Sequence, residues 1–305
     1  MWRFLFRRII QAAVTLFLLL VLVFVLARAS GDPLGLLVPP YAGPETVKMI
    51  THSLGLDRPY YVQFALFVKS AAKGDLGESF RSRRPVLTLI EERLPYSIAL
   101  GLLAMAFGTV LAVPLAIVAA LSRGSPLDTV IQTFGSLGIA IPQFFLGLVL
   151  IELFAGQWQI LPVGGAGSWK HFVLPVLTLG ILQAANLIRM MRSSMLEVLS
   201  ADFVTFARIK GLTEFRVIGS HVLRNAIVPV FTYAGVLIAL LMTGAIVTET
   251  VFAWPGFGRL AYEATIYSDF PLIQGIVLVA GIIVIGMSLL VDVAYAFLDP
   301  RIRLE

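Results

Sequence analysis

The chain has 305 residues, 58% of them hydrophobic and only 13% charged, with a formal net charge of +5 and a mean hydropathy of +0.92. No soluble domain of this size tolerates such a surface, so lipid is the solvent for most of it. The absence of cysteine excludes disulfides and thiolate chemistry, and the cations are not clustered as nucleic-acid binding requires.

A helix needs about 20 apolar residues to cross about 30 Å of hydrocarbon. Six stretches predict such helices, over 9–27, 97–121, 130–154, 172–190, 228–250 and 272–298. The runs are continuous rather than alternating, which argues for an all-α bundle and against a barrel. The first run follows Arg3, Arg7 and Arg8 and reaches Ala27-Arg28-Ala29, which resembles a signal-peptidase site. Its apolar core of about 19 residues exceeds the roughly 7–15 of a signal segment, so it reads as a retained span.

After this span, "ASGDPLGLLVPP" predicts an exit that stops the helix at Pro33. Farther on, Tyr60, Phe64, Phe67 and Val68 recur at helical spacing, which predicts a short amphipathic helix on the bilayer surface. Whether 28–95 simply caps the outer ends of the spans or docks an outside partner stays open. Glu91-Glu92 beside Arg93 reads as an interfacial salt cluster. Within the spans, Pro114, Pro142 and Pro175 are expected to interrupt helices, and Gly135, Gly138 and Gly147 to let helices approach closely. The main polar groups at membrane depth are Gln132, Gln143, Glu152, Gln183, Asn186, Thr243, Glu249 and Asp292. Glu152, Glu249 and Asp292 lie near predicted span ends, where snorkelling or capping accounts for them.

Six spans put both termini on one side. The N-terminus, the Arg123 loop, the stretch from Arg189 to Arg224 and the tail with Arg301 and Arg303 hold 12 of the 23 Lys and Arg residues. The short loops opposite hold only Lys170 and Arg259. The remaining nine lie in 28–95, and loops longer than about 60 residues are largely exempt from the positive-inside rule. Both termini are therefore cytoplasmic. The reading is one transmembrane domain over 1–305, with an extracytoplasmic segment at 28–95 and a cytoplasmic block at 190–227.

No lysine stands in a Gly-Lys-Ser/Thr phosphate loop, so nucleotide hydrolysis is not expected of this chain. His52, His171 and His221 show no metal-ligand spacing, and there is no G-x-S-x-G elbow. No cofactor, metal or catalytic residue is assigned.

The cytoplasmic block carries the most information. Residues 195–209 read as a helix ended by Gly211, which suits the left-handed conformation past a helix C-terminus. Thr213 then caps a second helix, with Glu214 in its first turn, running to about Asn225 before Pro229. Phe203, Phe206 and Lys210 share one face of the first helix, and Phe215, Ile218 and Val222 one face of the second. An apolar face rimmed by charge marks a protein interface or a membrane-surface helix.

The block resembles the signature loop of ABC-importer permeases, E-A-A, three residues, Gly, nine residues, I-x-L-P. Only Ala207, Gly211 and Leu223 match that general pattern, with Thr205 and Phe206 departing from it. The departures resemble the peptide-transport branch, through "ARIKGL" and "HVLRNA". "LGLDRPYYVQF", "GDLGESF", "GIAIPQFFLG", "RSSMLEVL", "ETVFAWPGFG" and "LDPRIR" extend the likeness along the whole chain. Together they resemble the first permease of the dipeptide/oligopeptide/nickel subfamily.

That resemblance implies a type I importer permease fold in the inner membrane. It also implies a heterodimer with a second permease, two cytoplasmic ATPase subunits, an extracytoplasmic binding protein and no nucleic acid. The opening block would be a coupling helix seated on an ATPase, with Phe206, Ala207, Gly211, Leu212 and Phe215 at the contact and Lys210, Glu214 and Arg216 on its rim. "ETVFAWPGFGRLAYEA" has two readings, a gate-side loop at Trp254, Pro255, Gly256 and Phe257, or a rigid aromatic-belt turn. Relatives of this kind handle dipeptides, longer peptides, nickel chelates, glutathione and some sugars or opines. The rival class is an ion-coupled secondary transporter, which needs intramembrane charge pairs that are scarce here.

Overall fold

The computed structural model describes residues 2–29, 43–53 and 57–298. The exit at Pro33, the tail arginines Arg301 and Arg303, and the side chain of Asp292 lie outside the described residues.

Helix α1 (Trp2–Ala29) is the first span, followed by short helices α2 (Pro44–Ser53) and α3 (Tyr60–Ala72). The apolar face of α3 packs on α1 through edge contacts of Phe64 with Phe17 and Phe24, at 6.2 and 5.4 Å between ring centroids. Helix α4 (Val86–Leu121) starts well before the apolar run at 97. Its Pro95 and Pro114 lie inside the helix without ending it.

The predicted third span is broken. Helix α5 (Pro126–Ala140) and helix α6 (Gln143–Gln157) meet at 98°. Pro142 forces its predecessor Ile141 into an extended conformation, ψ 123, which a helix cannot continue through. Both ends of the pair are anchored on α7 (Lys170–Leu199) or its neighbours. At the start of α5, Asp128 bonds Arg192; beyond α6, Gly165 N–H donates to Phe252 O, and the nearby Trp254 packs on Phe172. Residues 172 and 192 are about 30 Å apart along α7 at about 1.5 Å per residue. The bent pair therefore crosses as one span in two pieces, completing six crossings with the five continuous apolar helices.

Helices α4 and α7 form the central pair, closed by Leu100, Ala104 and Ala112 against Ala184, Leu187 and Ile188, all buried. Small residues set the spacing, as expected where lipid gives no hydrophobic drive between helices. A Cβ on Gly108 would meet Gly180 O at 3.0 Å, with the backbone N of Ala184 at 3.3 Å. Gly108→Val is accordingly expected to destabilise by about 1–3 kcal/mol, read as a lower thermal midpoint in detergent. An unchanged midpoint would mean that the two helices are free to part.

Helix α7 runs past the predicted limit at 190, and the expected single helix over 195–209 is split at Ser200-Ala201 into the end of α7 and α8 (Asp202–Ile209). Helix α9 (Glu214–Met242) is continuous, with a π-helical stretch at Val217–Val222 and Pro229 accommodated inside it. The second cytoplasmic helix thus does not stop near Asn225 but becomes the fifth span. That span ends at Met242, where Gly244 turns the chain with φ +99. Outside it lie α10 (Ile246–Val251) and α11 (Phe257–Ile266), and α12 (Phe270–Leu298) returns through the membrane against α1, α9 and α4.

Candidate functional site

At the end of the bundle that carries the basic block, the chain leaves α8 through a turn built by its own backbone. Gly211 takes φ +78, Gly211 N–H donates to Arg208 O at 2.9 Å, and Leu212 N–H donates to Ala207 O at 3.3 Å. This double bond pattern requires a left-handed residue after the helix, which glycine adopts without a Cβ penalty. Arg208 then reaches across the turn and grips Glu214 with two bonds, Nε at 2.8 Å and a terminal nitrogen at 3.2 Å. Thr213 sits in the cap position of α9 but makes no side-chain cap bond.

The block has a fixed underside and a free top. Val204, Ala207, Val217 and Val222 are buried in the same core as α4 and α7. Phe206, Ile209 and Phe215 stand 64%, 75% and 90% exposed. The expected face of Phe215, Ile218 and Val222 is split, because Val222 turns into the core. Ala207, expected at the contact, is likewise an underside residue, and Leu212 is half-buried. Lys210 and Arg216 are exposed and, among the described residues, form no ion pair. Glu214 is held by Arg208 instead of standing free. Sequence reasoning missed Ile209 and Arg208, although Ile209 follows Phe206 at the i, i+3 spacing of one helix face.

Beneath the block, a buried ion pair ties α5 to α7. Arg192 donates to both carboxylate oxygens of Asp128 at 2.8 Å, and Gly124 N–H and Gln132 Nε2 donate to the same carboxylate at 2.9 and 3.1 Å. Ser125 caps α5 by accepting from Asp128 N–H.

At the outer end, the aromatic turn faces protein. Trp254 is 0% exposed, sits between Tyr96 and Phe172 at 6.0 and 4.5 Å, and donates from Nε1 to Tyr96 O at 3.2 Å. Phe252 and Phe257 are equally buried. This does not fit an aromatic belt, whose rings sit among lipid headgroups. Of the two roles expected for Glu249, it takes capping and does not snorkel. Fully buried, it accepts from Ser97 Oγ at 2.5 Å and from Arg259 N–H at 2.8 Å, while Ser97 Oγ accepts from Phe257 N–H at 2.7 Å. Its carboxylate thereby satisfies free amides at the start of α11. Gly256 leaves room for it, since a Cβ there would stand 2.6 Å from Ser97 Oγ.

Residues 112–304 match the family described as binding-protein-dependent transport system inner membrane component, and residues 1–101 match its N-terminal counterpart. The chain belongs to this family. It is 39% identical over 304 residues to the glutathione transport system permease protein GsiC of Escherichia coli O6:H1, covering 99% of each chain. The protein of that name from Shigella dysenteriae serotype 1 is 38% identical over the same length and coverage. In fold, it resembles an inward-facing MetNI methionine ABC transporter, with TM-score 0.59, 17% identity, and 70% of this chain covering 97% of that one. An amino acid ABC transporter gives TM-score 0.52 at 16% identity over 70% and 94% of the two chains. The chain is thus a membrane-spanning permease subunit of an ABC importer, located in the inner membrane, and the ion-coupled alternative is set aside. Membership implies an ATPase and a binding protein as partners.

Proposed function

We propose that residues 202–216 are the handle by which a cytoplasmic ATPase moves this permease. The carrying observation is the two-sidedness of the block: Phe206, Ile209 and Phe215 uncovered, Val204, Ala207 and Val217 sealed into the core of the spans. Exposed aromatics rimmed by unpaired cations match the anchors and rim of a protein interface. Because α7 runs unbroken from the outer face to Leu199, and α9 starts at Glu214, a push on α8 is delivered to two spans at once. That suits alternating access by rigid-body rocking.

The assembly on this reading is a heterodimer with a second permease, two ATPase subunits, an extracytoplasmic binding protein and surrounding lipid, and this chain performs no catalytic step. The solute is a short peptide of the glutathione class, by kinship with the GsiC proteins. Trp254, Pro255, Gly256 and Phe257 form the rigid outer frame of the gate, since Trp254 is clamped to both α4 and α7 and must move with them.

Phe206→Asp combined with Lys210→Glu is expected to abolish co-purification of the ATPase with an inserted permease. Losing an interface anchor costs about 2 kcal/mol or more, roughly thirtyfold in affinity. Recovery of ATPase in normal amount would refute the handle.

A further inference from the structure

Helix α7 is buried along one side by Ala184, Leu187, Ile188 and Met191, but another side carries a polar stripe that nothing in the described chain covers. Asn186, Arg189, Ser193 and Glu197 line a groove of about 550 Å³, completed by Pro229 and Tyr233 of α9. Arg189, Ser193 and Glu197 are exposed. Among the described residues, the side chains of Arg189 and Glu197 make no hydrogen bond or ion pair with each other or with any neighbour. Arg189 stands at the inner end of the crossing and Ser193 and Glu197 follow it toward the end of α7, so the stripe leads from the bundle into water.

The charges are also ordered. Arg189 and Glu197 are eight residues apart, about 12 Å along the helix axis, with the cation deeper and the anion at the cytoplasmic end. The ends of an extended tripeptide are about 10 Å apart. We propose that this groove is a binding site on the translocation path for a short zwitterionic peptide. Arg189 takes the C-terminal carboxylate through its two-pronged guanidinium, and Glu197 takes the ammonium at the other end. Ser193, one turn from each charge, and the Tyr233 hydroxyl supply hydrogen bonds to the peptide backbone between them. The peptide then passes with its amino end toward the cytoplasm. This inference rests on the peptide-class reading given above.

The test is ATP-driven uptake by the complete transporter in proteoliposomes, with glutathione, its glycine amide and its N-acetyl form as probes. Dividing each variant's rate by the unsubstituted rate for the same probe cancels the binding protein's own preference. Arg189→Gln is expected to lower this ratio about tenfold more for glutathione than for the glycine amide, and Arg189→Lys to recover part of the loss. Glu197→Gln is expected to discriminate in the same sense between glutathione and the N-acetyl form. Equal ratios for all three probes, whether lowered or unchanged, would overturn the site while leaving the substrate class intact. No uptake of glutathione by the unsubstituted complex would overturn the substrate class and the site together.

Discussion

Arg192→Ala is expected to destabilise the permease by about 3–5 kcal/mol, the cost of leaving a buried carboxylate without its cation. Asp128 is buried and would keep only the bonds from Gly124 N–H and Gln132. The lost pair joins residues 64 positions apart, so the damage falls on the α5–α7 seam and on the cytoplasmic block above it. Exchanging the two residues should not rescue the protein. The Asp128 position lies in the first turn of α5 and faces the Gly124 N–H, a setting that favours an anion and repels a guanidinium. Replacing both by apolar residues of similar volume, Asp128→Leu with Arg192→Met, should cost much less than the single alanine change, since no unpaired charge remains. Thermal unfolding of the purified permease in detergent decides the matter. An alanine variant that unfolds with the native protein would show that the pair is solvated rather than structural.

The second large effect is expected at Trp254. Truncation to alanine empties a fully buried site between Tyr96 and Phe172 and should cost about 3–5 kcal/mol. Trp254→Phe keeps most of the volume and removes the bond to Tyr96 O, for a cost of about 1–2 kcal/mol. The ordering matters more than either value, because it separates packing from hydrogen bonding. If the phenylalanine variant proved as unstable as the alanine one, the bond to Tyr96 would be the main fastening of the outer turn. Uptake by the assembled transporter should fall with stability, since the turn holds the outer ends of α4 and α7 together.

Hydropathy made the membrane legible. Each crossing is a local sum over about 20 residues, which a linear chain displays openly, and the helix C-terminus at Gly211 is readable because only its φ is special. The boundaries were harder to read. Pro95, Pro114, Pro175 and Pro229 look like breaks and are not, whereas Pro142 looks the same and is one. A local rule treats all five alike.

The same division holds at the candidate sites. The sequence determined by itself that lipid is the solvent, that the chain is an all-helical membrane bundle and that residues 200–216 form a hinged, basic, apolar-faced block. Only the tertiary structure decided that Phe215 is free while Val222 is sealed, that Glu249 caps α11 from a fully buried position, and that Arg192 has Asp128 for a partner while Arg189 has none among the described residues. Composition and periodicity follow from neighbours along the chain, but burial and pairing follow from contacts between segments dozens of residues apart, which come into being only when the helices pack.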